Sequence, residues 1–166
     1  MHLSLGPVLY AGPCVTRQAY YEEIASTPVD IVYLGETVCS RRHEMRLPDW
    51  LEVAKKLVAA GKEVVLSTLT LIESESDLKA MRRITENGNF AVEANDMGAV
   101  HRLQGRVPFI PGPYLNIYKP PTLALFASLG ARRGALPVGR SPHARRPLPR
   151  AGPPGGETRR VARWRP

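Results

Sequence analysis

The stretch DIVYLGETVCSRR, residues 30–42, decides how the rest of this chain is read. Residues 30–34 form a short apolar run with the look of a buried strand. A polar loop follows, carrying Glu36, Cys39, Arg41 and Arg42. A loop leaving the carboxyl end of a strand is where α/β proteins place their chemistry. Cys39 is therefore the first candidate for a metal ligand. One thiolate, however, supplies a single bond of the four that a zinc or iron–sulfur site needs. The other cysteine, Cys14, is too distant in sequence for a C-x-x-C pair. Two readings stay open: a plain core thiol, or one corner of a site whose other ligands are missing.

Outward from this segment, strand and helix signals alternate through the first 130 residues. A strand is expected over 2–10 and a helix over 17–26, where residues 18–24 give a mixed apolar face. Pro48 opens a second helix, at a first-turn position where the missing N–H costs nothing. Trp50, Val53, Ala54, Leu57 and Val58 share its apolar face, and Gly61 ends it. Further strands are expected over 63–68, 90–94 and 107–110, with an extended stretch over 114–118. Ser74 and Asp77 suit the cap of a helix over 75–86, stopped by Asn87-Gly88. Asn95-Asp96 caps a short helix to Leu103, and Pro120-Pro121 opens one over 122–129. This alternation argues an α/β fold of right-handed βα units on a parallel sheet. Units of about 20–30 residues suit the N-terminal half of a TIM-barrel-like fold. An open doubly wound sheet is the competing arrangement.

The 166 residues suffice for one ordinary domain with a sizeable core. No apolar run approaches the length of about 18 residues that a membrane span needs. The opening MHLSLGPVLYAGPC lacks a charged n-region and reads as strand rather than signal peptide. With two cysteines and no framework of pairs, a cytoplasmic localisation is expected.

The net charge of +8 is unevenly placed. Residues 1–130 hold 13 Lys and Arg against 14 Asp and Glu, whereas residues 131–166 hold ten Arg against Glu157 alone. Of those last 36 residues, 27 are Arg, Pro, Gly or Ala, and no apolar period runs through them. The expectation is a domain over 1–130 and a disordered basic tail over 131–166. A basic arm could bind nucleic acid through phosphates. Arg without any Lys, amid residues with GC-rich codons, reads instead as out-of-frame translation. The folded part gives no electrostatic reason to expect a nucleic-acid partner.

The polar residues after each strand would gather at one edge of the sheet. Glu36, Cys39, Arg41 and Arg42 follow the second strand, and Ser67 and Thr68 close the third. Glu93, Asn95 and Asp96 end the fourth, and Asn116 stands in the extended segment. Carboxylates beside Arg and amides suit a small polar or anionic ligand. Asn95 and Asp96 are equally explained as caps, and Arg41 and Arg42 as solvated charges. His43 lies near Cys39, but a lone loop His reads as solvated. No G-x-G-x-x-G, G-x-S-x-G, Walker loop or H-E-x-x-H motif occurs, and no base can be matched to Cys39 by spacing.

Four stretches carry a family resemblance: SLGPVLY (4–10), VDIVYLGETVCSRR (29–42), DWLEVAKKLVAAGKEVVLSTLTLI (49–72) and ENGNFAVEANDMGAV (86–100). Over about residues 3–130 the chain resembles the N-terminal half of the U-32 (collagenase-like) peptidase family, in its branch serving anaerobic ubiquinone biosynthesis. The resemblance implies a barrel-like fold and a 4Fe-4S cluster held by four cysteines, of which Cys39 matches the first. The remaining three lie in a region of the family without a counterpart here, so the chain reads as truncated or frameshifted. The resemblance further implies a heterodimer with a UbiU-type sister subunit, acting with a lipid-carrier accessory protein on a ubiquinone precursor. The reaction implied is oxygen-independent ring hydroxylation. Glu36, Arg42, Glu93, Asn95 and Asn116 would line the substrate or partner pocket, with Cys39 as the metal ligand. A cluster-free module pairing with the sister subunit is the alternative, as is an RNA-modifying hydroxylase relative. No residue here implies peptidase chemistry.

Overall fold

A computed structural model of the chain describes residues 2–9, 13–38, 45–135 and 157–159. Its centre is β2 (Ile31–Leu34), buried at all four positions. Burial on both faces is what a parallel strand under helices requires, and it explains why the run is apolar without alternation. β2 pairs in parallel with β1 (Ser4–Leu5) on one side and β3 (Glu63–Ser67) on the other. The register runs from Ile31 opposite Glu63 to Leu34 opposite Leu66. With β4 (Ala91–Ala94) and β5 (Ile110–Pro111) the strand order is β1-β2-β3-β4-β5.

Each strand thus lies beside its neighbour in the chain. A doubly wound sheet reverses direction at a switch point, and these five strands contain none. The protein is an α/β fold of repeated βα units wound in one direction. Right-handed crossovers of that kind put successive helices on one face. Accordingly α1 (Cys14–Ala25) packs on α2 (Leu47–Ala59), and α2 on α3 (Glu75–Thr85). The chain divides into two compact units, Met1–Val92 and Glu93–Pro166.

In the first unit the two-residue period of the strands sends Val32, Leu34, Val64 and Leu66 into one cluster with Tyr21, Trp50, Val53, Ala54 and Leu57. The Tyr21 and Trp50 rings meet edge to face, 6.0 Å between centroids at 76°. Val58, expected on the same helix face, is 49% exposed. It stands eight residues beyond Trp50, about 80° round the helix, at the margin of the stripe. β1 is far shorter than the expected 2–10, because Gly6 and Pro7 follow Leu5 and proline has no N–H for a ladder. The cap of α3 stands as read: the Ser74 hydroxyl accepts from Asp77 N, and the Asp77 carboxylate accepts from Ser74 N at 3.0 Å.

In the second unit α4 (Met97–Leu103) starts from Asp96, whose Oδ1 accepts from Gly98 N at 2.6 Å. Asp96 caps this helix, and Asn95 has another role. Residues 114–118 are not extended: Pro113–Leu115 form a 3-10 turn, and Asn116 follows in the left-handed region at φ 55°. Proline at the first position of the turn favours this departure, and asparagine tolerates that φ. α5 (Pro120–Ser128) follows, and Phe109 bridges to Ala131. β6 (Arg133–Ala135) pairs in parallel with β7 (Glu157–Arg159), two segments that the sequence assigns to coil. The rest of the tail, 136–156 and 160–166, lies outside the described residues. Among the described residues no helix is long and apolar enough to cross a membrane.

One close approach fixes the end of β2. Gly35 has φ +137°, and a Cβ there would sit 2.6 Å from the Ser67 carbonyl oxygen. Gly61 also has positive φ, +81°, but open space around it. Gly35→Ala is therefore expected to destabilise the protein by about 3 kcal/mol and Gly61→Ala by about 1 kcal/mol. Denaturant titration of the two variants checks the difference, and equal losses would contradict the close approach.

Candidate functional site

Beyond Leu34 the chain turns at Gly35 into Glu36, and this carboxylate meets a buried cation. Arg17, one turn into α1, is 3% exposed, and its Nη1 donates to Glu36 Oε1. The side chains of the pair are 4% and 16% exposed. The ion pair ties the amino-terminal part of α1 to the first residues of the loop after β2. Tyr21, one turn further along α1, is buried, and burial raises its phenol above the ordinary value. Glu36 is thus part of a structural anchor, with its carboxylate already engaged.

The loop after β3 is joined to this one. Thr70 N donates to Thr37 O at 2.8 Å, so the two segments stay joined past the ends of their strands. Ser67 and Thr68 are fully buried there. The Thr37 and Thr70 hydroxyls are buried without a hydrogen-bond partner among the described residues. Each such group costs about 1–3 kcal/mol relative to a satisfied one. Sequence reasoning passed over both threonines, since a hydroxyl in a polar loop gives no signal of burial. Cys39, the expected metal ligand, and Arg41, Arg42 and His43 lie outside the described residues.

The second unit holds the other expected residues. Glu93 is 4% exposed and Asn95 2%, two positions apart on β4 and therefore on one face. Asn95 Nδ2 donates to Glu93 Oε2 at 3.3 Å. Gly112 is pressed against the same amide: a Cβ there would fall 1.8 Å from Asn95 Oδ1. Gly112 N also donates to Ala94 O at 2.8 Å, extending the β4–β5 pairing by one residue. Asn116 is exposed on the following loop. Glu93 and Asn95 are brought together. A buried carboxylate bonded to an amide can hold a ligand hydroxyl or carry a proton once its surroundings open.

The metal question turns on donors. The chain has two cysteines, Cys14 and Cys39. Cys14, the first residue of α1, is a free, half-buried thiol packed against the core. Among the described residues no group of three or more His, Cys, Asp or Glu side chains could hold a metal ion. Two cysteines do not complete a four-thiolate set, so the donors of this chain do not by themselves fit a 4Fe-4S cluster. A small apolar cavity of about 110 Å³ lies between α1 and α2, lined by Gln18, Tyr21, Glu22, Ala25, Val53 and Lys56. It contains none of the expected site residues.

No protein-family model matches the chain, and no solved structure matches it.

Two variants test the geometry of the first unit. Arg17→Ala leaves the Glu36 carboxylate half-desolvated and is expected to cost about 3 kcal/mol, with Glu36→Gln in the same chain recovering part of the loss. Strict additivity in this double-mutant cycle would show that the pair is not coupled. Thr37→Val keeps the shape and removes an unsatisfied hydroxyl, so its melting temperature should equal or exceed that of the parent protein. A clear drop would mean that the hydroxyl has a partner.

Proposed function

We propose that this chain is a UbiV-type member of the U-32 (collagenase-like) peptidase family, a cytoplasmic subunit of oxygen-independent ubiquinone ring hydroxylation. Its partners are a UbiU-type sister subunit, a lipid-carrier accessory protein and a ubiquinone precursor. The observation that supports the reading is β2 in a parallel sheet of unidirectional βα units, with the sequence Glu36-Thr-Val-Cys39 directly after it. That is the place where the resemblance puts the first cluster cysteine.

Within this reading the chain's residues position and do not react. Arg17 and Glu36 fix the base of the Cys39 segment. Glu93 and Asn95 present a carboxylate and an amide at the end of β4 for a polar substituent of the ring precursor. In this reading Cys39 would be one ligand of a 4Fe-4S cluster whose donor set the two cysteines of this chain do not complete. The two-cysteine inventory favours a second reading, a cluster-free module whose task is to pair with the sister subunit.

Anaerobic co-purification with a UbiU-type subunit tests both. Association together with iron and acid-labile sulfide that Cys39→Ser removes from this chain supports the cluster-bearing subunit. Association in which Cys39→Ser changes neither metal nor sulfide supports the cluster-free module. Failure to associate sinks both.

A further inference from the structure

The backbone of residue 112 does not need a glycine. Its φ of −78° and ψ of 169° are geometry that any residue adopts. What excludes a side chain is the neighbouring strand. A Cβ on Gly112 would fall 1.8 Å from Asn95 Oδ1, 2.7 Å from Asn95 Cγ and 3.2 Å from the Ala94 carbonyl oxygen. The register explains this approach. Glu93 pairs with Ile110 and Ala94 with Pro111, and the Gly112 N to Ala94 O bond at 2.8 Å carries the pairing one step further. Asn95 and Gly112 are thus cross-strand neighbours, and the amide lies where a side chain of residue 112 would stand.

The amide is held from two sides. Its Oδ1 rests against the Gly112 α-carbon, a C–H···O type of contact that recurs between adjacent strands. Its Nδ2 donates to Glu93 Oε2 at 3.3 Å. Asn95 is 2% and Glu93 4% exposed, so bulk water orients neither group. Apolar side chains of similar volume can replace a buried polar set without loss of stability. Three positions on two strands given over to aiming one carboxylate therefore point to a role for its direction.

We propose that Gly112 is a positioning residue: the notch left by its missing side chain fixes the Asn95 amide and, through it, the orientation of the Glu93 carboxylate. The proposal rests on the reading above only for the use of that pair towards a ligand; the notch belongs to this chain by itself. An acid aimed in this way is pre-oriented for a polar group, whereas a swinging one must first be ordered.

Side-chain NMR on the full chain, labelled with 15N and with 13C at the glutamate carboxyls, tests the notch. The Asn95 NH2 pair, identified by its loss in Asn95→Ala, is expected to exchange with solvent about tenfold more slowly than the exposed Asn116 amide. Gly112→Ala should remove most of that protection. It should also move the Glu93 carboxyl carbon, identified by its loss in Glu93→Gln, in the same sense as Asn95→Ala does. On an Asn95→Ala background, where the space is vacated, Gly112→Ala should lower the melting temperature far less than in the parent chain. That comparison holds even if Gly112→Ala alone fails to fold. An Asn95 pair exchanging as fast as that of Asn116 would overturn the proposal. So would a folded Gly112→Ala variant in which either the Asn95 or the Glu93 signal is unmoved, or equal losses from Gly112→Ala on the two backgrounds. Each readout comes from the chain alone, so failure to associate with a sister subunit would remove the ubiquinone reading and leave the notch standing.

Discussion

The parallel pairing of β2 on β3 is the constraint on which the first unit depends. Both strands are buried nearly throughout, so the register between them decides which side chains meet α1 and α2. A slip by one residue would turn Val32 and Leu34 away from Trp50 and Leu57 and put Ile31 and Tyr33 in their place. The pairing does not end with the strands. Gly35 lets the backbone pass within contact of Ser67, and the Thr70 to Thr37 bond continues the zipper into the loops. Arg17 then clamps Glu36 from the helix side. The start of the segment leading to Cys39 is therefore set by sheet and helix together, through Gly35, Glu36 and Thr37.

A ledge held this firmly is suited to presenting ligands and poorly suited to moving. Glu36 is engaged by its ion pair with Arg17. In the second unit, the carboxylate of Glu93 and the amide of Asn95 are paired on one strand face, and the loop after β5 carries exposed polar and aromatic groups. The thiol inventory acts in the other direction, because two cysteines set an upper bound on what this chain alone can ligate.

Much of the fold was legible because local and global signals agree. The apolar run 30–34, the stripe from Trp50 to Leu57 and the Ser74–Asp77 box each have one physical interpretation, and each stands in the structure. Sequence signal and structure part where one residue changes the backbone options. Pro7 shortens β1, and Pro113 with Asn116 replaces an extended segment by a 3-10 turn and a left-handed residue. α1 begins at Cys14, earlier than its weak apolar period suggests. The placement of Glu93 and Asn95 at the end of β4 is readable from the apolar run that precedes them. That of Arg17 is not, since an arginine on a mixed helix face looks solvated until its acid partner is seen. Thr37 and Thr70 were hidden for the same reason: burial of a loop hydroxyl is a tertiary fact.

Native-state amide hydrogen exchange tests the central claim, that the β2–β3 ladder is the framework holding the strand-end segment. The account predicts that the amides of β2 and β3 are the slowest to exchange and lose protection together with those of α2, through opening of the whole first unit. Rapid exchange of β2 while β3 and α2 stay protected would contradict it.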